Sequence, residues 1–593
     1  MIIFEHITFL GGKVVGKWES VFQSWIESEN LDLTARKQLQ DLKNNPEEMK
    51  DSFYQYITLE TEGMRGVSGP GINRMNIYTV RRAIQGLAYY LKENVVNYKD
   101  RGVVIAFDSR YMSEEFALES AKVLGVHGIR TYVFESLRPT PLLSFAVRYL
   151  RTAAGIMFTA SHHLPEYYGF KIYNEEGSQI IFDETNHLTN YIQQVDDELQ
   201  IDVLSEEELI KQNLMQCVKD EVDHAYLEQL NTITKMDEKT IKEKRDLNIV
   251  FTPLYGTAQP LVEAGLKQLN FANIHVVKEQ TVANFDLSAV KLPNLEERQA
   301  FEKAIKLGEA VDADILLATD LNAERLGVAV KNKQDEYTVL TGNQLGCLLL
   351  DYILKHANER VLNNARLIKS IVTTELGRAI AASYHVKTID ALFGFQHISE
   401  KINEFDATGE TFIFGFEESG SYLINSFSRD KDAIQAAVMT SEMASFWKAK
   451  GKTLLEVLDN LYKKFGYYKE GSDEITFKGA SAQGKMSSIV NRFRSEIDGQ
   501  IGNLRIEYIE DYLTKKRRYC NNKAEILDFP HENVVKYMLE ENCWVCLHLS
   551  ETMPKIKCYY AAYGTTAQEA ERKFNMIKKS LKETILQPLE PVK

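Results

Sequence analysis

The sequence predicts an α/β protein of several domains with largely parallel sheets. Short apolar runs alternate with stretches of helical spacing along most of the chain. The 593 residues exceed what one hydrophobic core holds. Polar motifs follow directly on several of the apolar runs, and α/β sheets bind ligands at the carboxyl ends of their strands.

The strand pattern is clearest in GVVIAFDSR (residues 102–110), a buried run ending in polar residues, and residues 113–123 behind it have helical spacing. GIRTYVFE and AAGIMFTAS repeat the pattern, as do LNIVFTPLYG, ANIHVVKE, ADILLATD, LIKSIVTTE and TFIFGFEES farther along. Polar, acidic stretches at 194–208 and 467–474 are the best candidates for boundaries between domains. Residues 566–586 form an amphipathic helix whose Lys and Glu side chains make a solvated face.

Composition narrows the function classes. The net charge of −14, from 70 basic and 84 acidic side chains, repels a phosphate backbone, so nucleic acid is not expected as a partner. Hydrophobic residues at 44% and charged residues at 26% are ordinary for a soluble globular chain. Six cysteines make no disulfide framework, and the lone pair Cys543 and Cys546 lies in CWVCLHL, a strand pattern that reads as buried thiols. The start, MIIFEHITFL, lacks a basic leading region, which argues against a signal peptide. No run of about 18 apolar residues occurs, so no membrane helix is expected and the cytoplasm is the expected location. Oligomeric state has no signature in the sequence.

Two motifs carry chemistry by themselves. In GIMFTASHHLPEYYGFKIY an apolar strand ends at Thr159, Ala160, Ser161 and His162, placing a hydroxyl beside an imidazole at a strand terminus. Ser161 lacks the Gly-x-Ser-x-Gly elbow of a hydrolase nucleophile, and a turn serine that satisfies backbone groups is the plain alternative. In ATDLNAERLGVAV, the strand ADILLATD delivers Asp320, Asn322 and Glu324 on a tight loop, followed by Arg325. Oxygen donors at alternate positions suit Mg²⁺, a hard cation, and an acidic loop capping the next element is the alternative.

The first motif resembles the active-site loop of the α-D-phosphohexomutases, T-A-S-H-N-P followed by Tyr-Asn-Gly and a lysine. Thr159, Ser161, His162, Tyr167, Gly169 and Lys171 match; His163, Leu164 and Tyr168 depart. The likeness runs from about Trp18 to the end. It includes EGMRGVSGPGINRMNIYTVRRA, with an active-site arginine at Arg65, as well as FDSR and RPTP. LTGNQLG and RDKDA fit the phosphoglucomutase and phosphopentomutase branch. The resemblance implies three related α/β domains with mixed sheets and a smaller α+β C-terminal domain around a central cleft. The implied boundaries are 1–205 with the phosphoserine loop, 206–335 with the metal loop, 336–465 with the sugar loop and 466–593 with the phosphate loop.

It also implies roles. Ser161 carries the phosphoryl group, Lys171 and Arg65 stabilise charge, and Lys171 or His162 carries a proton. One Mg²⁺ sits on Ser161, Asp320, Asn322 and Glu324, where the family pattern has three aspartates; formal ligand charge falls from three negatives to two. Arg325, Glu417 and Ser419 (in FGFEESGSYL) contact the sugar. Ser550, Thr552, Lys555 and Lys557 hold the phosphate that is not transferred. There the family reads R-x-S-G-T-E-P, while this chain has His548 for the arginine and Glu551 for the glycine. Phe393 and Gln396 stand where the branch favours threonine and lysine, and Tyr255 where it favours histidine. The implied activity is interconversion of hexose 1-phosphate and hexose 6-phosphate, with a hexose 1,6-bisphosphate as activator, a sugar phosphate as small-molecule partner, no nucleic acid or membrane partner, and turnover impaired by the altered loops. The alternatives are a pseudoenzyme that binds a sugar phosphate or a protein, and a hexose-bisphosphate synthase.

Overall fold

A computed structural model describes residues 18–161, 166–235, 245–281, 294–477, 482–495, 499–521, 523–549 and 555–586. The chain divides into two compact units, one of residues 1–342, 395–415 and 419–450, the other of residues 343–394, 416–418 and 451–593.

In the first unit, three helices (Trp18–Glu27, Leu33–Leu42, Pro46–Phe53) precede a seven-stranded sheet. Its strands are β1 (Leu59–Glu60), β2 (Gly63–Val67), β3 (Val103–Phe107), β4 (Thr131–Phe134), β5 (Ala154–Phe158), β6 (Tyr167–Tyr173) and β7 (Met215–Val218), in the order β1-β2-β6-β5-β3-β4-β7. All five residues of β3 and of β5 are buried, as expected of strands covered by helices on both faces. Helix Ile77–Asn94 covers one face; Asn76 starts it with a capping box to Thr79, and Ile84, Leu87 and Leu91 enter the core that Ile105, Ile156 and Phe158 share. Each such side chain contributes about 1.5–3 kcal/mol on burial.

The expectation of largely parallel sheets is corrected here. Pairs β5-β3, β3-β4 and β4-β7 are parallel, but β1-β2, β2-β6 and β6-β5 are antiparallel. The chain leaves β5 at Ser161 and returns directly as β6, and so short a connection permits only antiparallel pairing. The sheets are mixed, as the family resemblance implies.

The second sheet contains β8 (Arg245–Thr252), β9 (Phe271–Val276), β10 (Ile315–Thr319), β11 (Leu326–Lys331) and β12 (Tyr337–Leu340), in the order β12-β11-β10-β8-β9. β10 is parallel to β8 and antiparallel to β11, so the chain reverses at Asp320–Arg325.

The second unit holds the parallel pair β13 (Ala365–Ser370) and β14 (Lys387–Ala391). Strands β15 (Thr411–Glu417) and β16 (Ser421–Leu423) flank the motif FGFEESGSYL, of which only residues 416–418 belong to this unit. Its C-terminal part is an antiparallel sheet of β17 (Tyr467–Thr476), β18 (Gln500–Ile501), β19 (Leu504–Asp511), β20 (Lys516–Tyr519), β21 (Ala524–Ile526), β22 (Val534–Leu539), β23 (Trp544–Leu549) and β24 (Lys555–Gly564). The polar stretch 467–474 is therefore an edge strand, paired with β24 along its length, with Lys469, Ser472 and Glu474 exposed and Glu470 and Asp473 half-buried. Cys543 and Cys546 are buried free thiols. The C-terminal helix spans Ala567–Leu586. Among the described residues no helix is long and apolar enough to cross a membrane.

Candidate active site

Ser161 stands just beyond β5 with φ at 53°, a left-handed conformation that costs a serine energy and that surrounding contacts must enforce. Two contacts do so. Its N–H donates to Thr159 Oγ1 at 2.8 Å, and its carbonyl accepts from the Arg110 guanidinium at 3.0 Å. Arg110 also donates to the Tyr167 carbonyl at 2.9 Å, which ties both sides of the serine loop to one side chain. Ser161 is 7% exposed.

The reversal after β10 lies against this loop. Asn322 Nδ2 donates to the same Thr159 Oγ1 at 2.7 Å, and the Thr140 N–H donates to the Asn322 carbonyl at 3.1 Å. Thr159 thus bridges the Ser161 loop and the Asp320–Glu324 loop. Asp320 Oδ1 accepts from the N–H groups of Glu324 (2.7 Å) and Arg325 (3.1 Å), which folds the loop around its carboxylate. Gly256 has to be glycine for this packing: a Cβ there would stand 2.7 Å from the Asp320 carbonyl oxygen and from Leu321 Cα.

Glu324 turns to Lys171. The two form a buried salt bridge, each side chain 3% exposed, and Lys431 Nζ lies 3.5 Å from the second Glu324 oxygen. Burial works against the Glu324 charge, but Lys171 and Lys431 hold its carboxyl well below the usual range. Burial and the Glu324 charge push Asp320 up to about 6. Burial lowers the Lys171 ammonium, against the pull of Glu324. Next to Lys171 on β6, Tyr173 donates to Asp430 Oδ2 at 2.6 Å, and Asp430 Oδ1 is 3.4 Å from Lys431 Nζ.

Arg65 is on β2, opposite Gly169 of β6. A Cβ at Gly169 would come 2.3 Å from the Met64 carbonyl oxygen, so glycine lets the two strands close. Arg65 donates to the Glu62 carboxylate at 3.1 Å and the Glu62 carbonyl at 3.0 Å. Arg325 makes a backbone bridge to Ser421, whose hydroxyl is 3.3 Å from that of Ser419.

The remaining candidates lie in the second unit. Glu417 Oε1 accepts from the Gly394 N–H at 3.0 Å. Lys555 and Lys557 share one face of β24, flanking buried Ile556. Lys555 reaches both oxygens of Glu474 at 3.3 Å, and Lys557 Nζ stands 4.8 Å over the Tyr559 ring. His548 stacks on Phe393, with centroids 4.6 Å apart and planes 9° apart, while its Nε2 is 3.4 Å from Glu532 Oε1. Phe393 also stacks on Tyr559 at 5.6 Å. His162, Ser550, Glu551 and Thr552 lie outside the described residues.

Thr159, Arg110 and Lys431 were absent from the candidate residues. FDSR and RDKDA, which carry Arg110 and Lys431, stand out in the sequence, but which atoms they reach depends on contacts between distant segments.

The donor set suits a hard cation in part. Asn322 Oδ1 is buried with no hydrogen-bond partner, and Asp320 is a carboxylate whose charge burial disfavours. Glu324 is already engaged by two lysines. Among the described residues no group of three His, Cys, Asp or Glu could hold a metal, because the loop offers two carboxylates and an amide.

Known proteins bear on this geometry. Family models for phosphoglucomutase/phosphomannomutase α/β/α domains I, II and III match residues 57–199, 224–333 and 341–465. A phosphoglucomutase of Staphylococcus haemolyticus is 35% identical over 511 residues, 86% of this chain and 91% of the relative. One of Staphylococcus aureus (strain MRSA252) is 35% identical over 531 residues, 89% and 93%. A phosphoglucomutase/phosphomannomutase family protein of Burkholderia thailandensis shares the fold at a TM-score of 0.63 and 16% identity, over 89% of this chain and 98% of that one. The Paramecium phosphoprotein pp63/parafusin, a phosphoglucomutase in an open form, shares it at 0.64 and 16%, over 90% and 96%. With family models on three successive domains and relatives matched over nearly their whole length, the chain belongs to the α-D-phosphohexomutase family, as a phosphomutase of the isomerase class.

Proposed function

We propose that the protein interconverts a hexose 1-phosphate and a hexose 6-phosphate, glucose phosphates first among them, through a phosphoryl group carried on Ser161. The observation that carries this reading is the junction at Thr159, which brings the strained serine and the Asp320–Glu324 loop onto one hydroxyl. Relatives named phosphoglucomutase at 35% identity support the substrate class.

In the first half-reaction a substrate hydroxyl attacks the phosphorus on Ser161, the bond from phosphorus to Ser161 Oγ breaks, and the proton lost by the substrate hydroxyl is balanced by one taken up on the serine oxygen. In the second, the Ser161 hydroxyl attacks the other phosphate of the bisphosphate, the bond from that phosphorus to the sugar oxygen breaks, and the proton lost by serine is balanced by one taken up on the sugar oxygen. Such transfer depends on positioning and on opposing negative charge. Arg110 and Thr159 hold the serine backbone in place. Lys171 and Arg65 would supply positive charge to the transfer, and Lys171, lowered by burial, is the proton carrier we favour among the described residues. Asp320, Asn322, Glu324 and the seryl phosphate would hold Mg²⁺, which when bound offsets charge on the phosphoryl oxygens. Arg325, Glu417 and Ser419 would hold the sugar, and Ser550, Thr552, Lys555 and Lys557 its second phosphate. A hexose 1,6-bisphosphate would prime the serine, and the cytoplasm is the setting that fits.

A second reading is a protein of this fold that binds sugar phosphate with little turnover. It rests on His548, which stacks on Phe393 where the family places an arginine, and on the engagement of Lys555 by Glu474. One experiment separates the readings. The full chain is incubated with glucose 1-phosphate, Mg²⁺ and a trace of glucose 1,6-bisphosphate, and products are followed by ³¹P NMR. Glucose 6-phosphate formation supports the mutase. In a parallel incubation with a second phosphoryl donor added, accumulating bisphosphate would mean a synthase, and no conversion in either would leave the binding protein.

A further inference from the structure

The far end of β5 from Ser161 borders a cavity of about 270 Å³, larger than the ~150 Å³ that admits a benzene ring. It lies where helices Ile77–Asn94 and Phe182–Ile192 meet the sheet. Leu87, Leu91, Ala154, Ile172, Ile180 and Leu188 make its apolar lining. Tyr90 forms an aromatic wall, edge-on to His187 at 5.5 Å and to Tyr191 at 5.8 Å.

Three carboxylates also line the cavity, and they differ in one respect. Glu175 pairs with Arg101 at 2.6 Å, and Glu176 with Arg148 at 3.3 Å. Glu184 makes no ion pair among the described residues. Its oxygens accept from Asn174 Nδ2 at 3.2 Å and from the Ile181 N–H at 3.0 Å. An apolar cavity with an aromatic wall and one carboxylate without a cation is complementary to an organic cation.

We propose that this cavity binds a small ammonium ion with an aromatic body, the body against Leu87, Ile172 and Leu188 and the nitrogen on Glu184 beside Tyr90. The lining has no cationic group aimed at an anion, so a sugar phosphate is not its ligand. The site is separate from the Ser161 loop and does not depend on the mutase reading.

The test uses 2-phenylethylamine and its neutral isostere 2-phenylethanol, titrated into the full chain by calorimetry at pH 7. The amine should bind at least tenfold more tightly than the alcohol. Glu184→Gln keeps the helix start and should bring the amine down to the affinity of the alcohol. Leu188→Trp fills the cavity and should weaken both at least tenfold. Absence of amine binding, equal binding of the two probes, or an unchanged amine affinity in Glu184→Gln overturns the proposal. Should the tryptophan variant not fold, a crystal grown with 4-bromophenethylamine decides: anomalous density between Leu87 and Leu188 supports the site, and density only elsewhere overturns it.

Discussion

The Asn322 side-chain amide donates to Thr159 Oγ1 and leaves its own carbonyl oxygen buried without a hydrogen-bond partner. An aspartate at 322 could not donate there, but it could accept from the Thr159 hydroxyl, so the substitution preserves the junction. It also adds a negative charge to the loop. One charge about 4 Å from a cation contributes roughly 1–4 kcal/mol. Asn322→Asp should therefore tighten Mg²⁺ binding about tenfold or more by calorimetry. No gain would place the free oxygen away from the cation.

Ser161→Ala should lower glucose phosphate interconversion by about a thousandfold or more, since nothing replaces a lost nucleophile. Its contacts with Thr159 and Arg110 are made through the backbone, so the thermal midpoint should stay within a few degrees. Retained turnover would remove Ser161 from the chemistry.

The strands that deliver Ser161 and Asp320 were legible because a strand covered on both faces leaves an uninterrupted apolar run, and GIMFTAS and ADILLATD are such runs with polar ends. Strand direction was not legible. YYGFKIY pairs antiparallel to both of its neighbours, β5 and β2, although β5, β3, β4 and β7 run parallel, and periodicity carries no sense of direction. The stretch 467–474 reads as a linker because it is polar and acidic, yet it is an edge strand that half-buries Glu470 and Asp473 and exposes only Lys469 and Glu474 of its charges. Side-chain partners were the least legible. Lys171 and Glu324 meet across a separation of 153 residues, and the sequence alone gives no reason to pair them rather than count Glu324 as a metal ligand.

That pair is a stability determinant. Removing one partner of a buried ion pair leaves an uncompensated charge and costs about 3–5 kcal/mol. Lys171→Met should destabilise by that order in urea unfolding, moderated by Lys431 at 3.5 Å. Lys171→Met with Glu324→Leu should recover much of the loss. If the double variant is less stable than both single ones, the pair acts through other contacts.

Asp320 gives a pH dependence with a definite sign. Its folded pKa is raised, from 3.8 to about 6, so its contribution favours folding at low pH and is lost as pH rises through about 6. A cation on the loop competes with the proton. The rise in thermal midpoint produced by Mg²⁺ should be larger at pH 7.5 than at pH 5, measured by scanning calorimetry at fixed ionic strength. Equal shifts at the two pH values would mean that Asp320 does not bind the metal.

The last prediction concerns the altered phosphate loop. Glu551 stands where the family has a glycine, and its charge opposes a phosphate by roughly 1–4 kcal/mol at about 4 Å. Glu551→Gly with His548→Arg is the direct restoration and should raise affinity for glucose 1-phosphate. The stack sets a limit on that gain. An arginine at 548 would find the Phe393 face 4.6 Å from the present ring centre and the Glu532 carboxylate near the present Nε2. A guanidinium is satisfied by an aromatic face and a carboxylate together, so it would stay there rather than turn to phosphate. Phe393→Thr, the residue the branch favours, removes the face. The triple variant should therefore bind glucose 1-phosphate about tenfold more tightly than the double variant, while Phe393→Thr alone forfeits about 0.5–1.5 kcal/mol of aromatic packing besides its burial. Titration calorimetry on the three proteins reads both effects. If the double variant already reaches the affinity of the triple, Phe393 does not restrain residue 548, and the loop charge at Glu551 is the whole of the impairment.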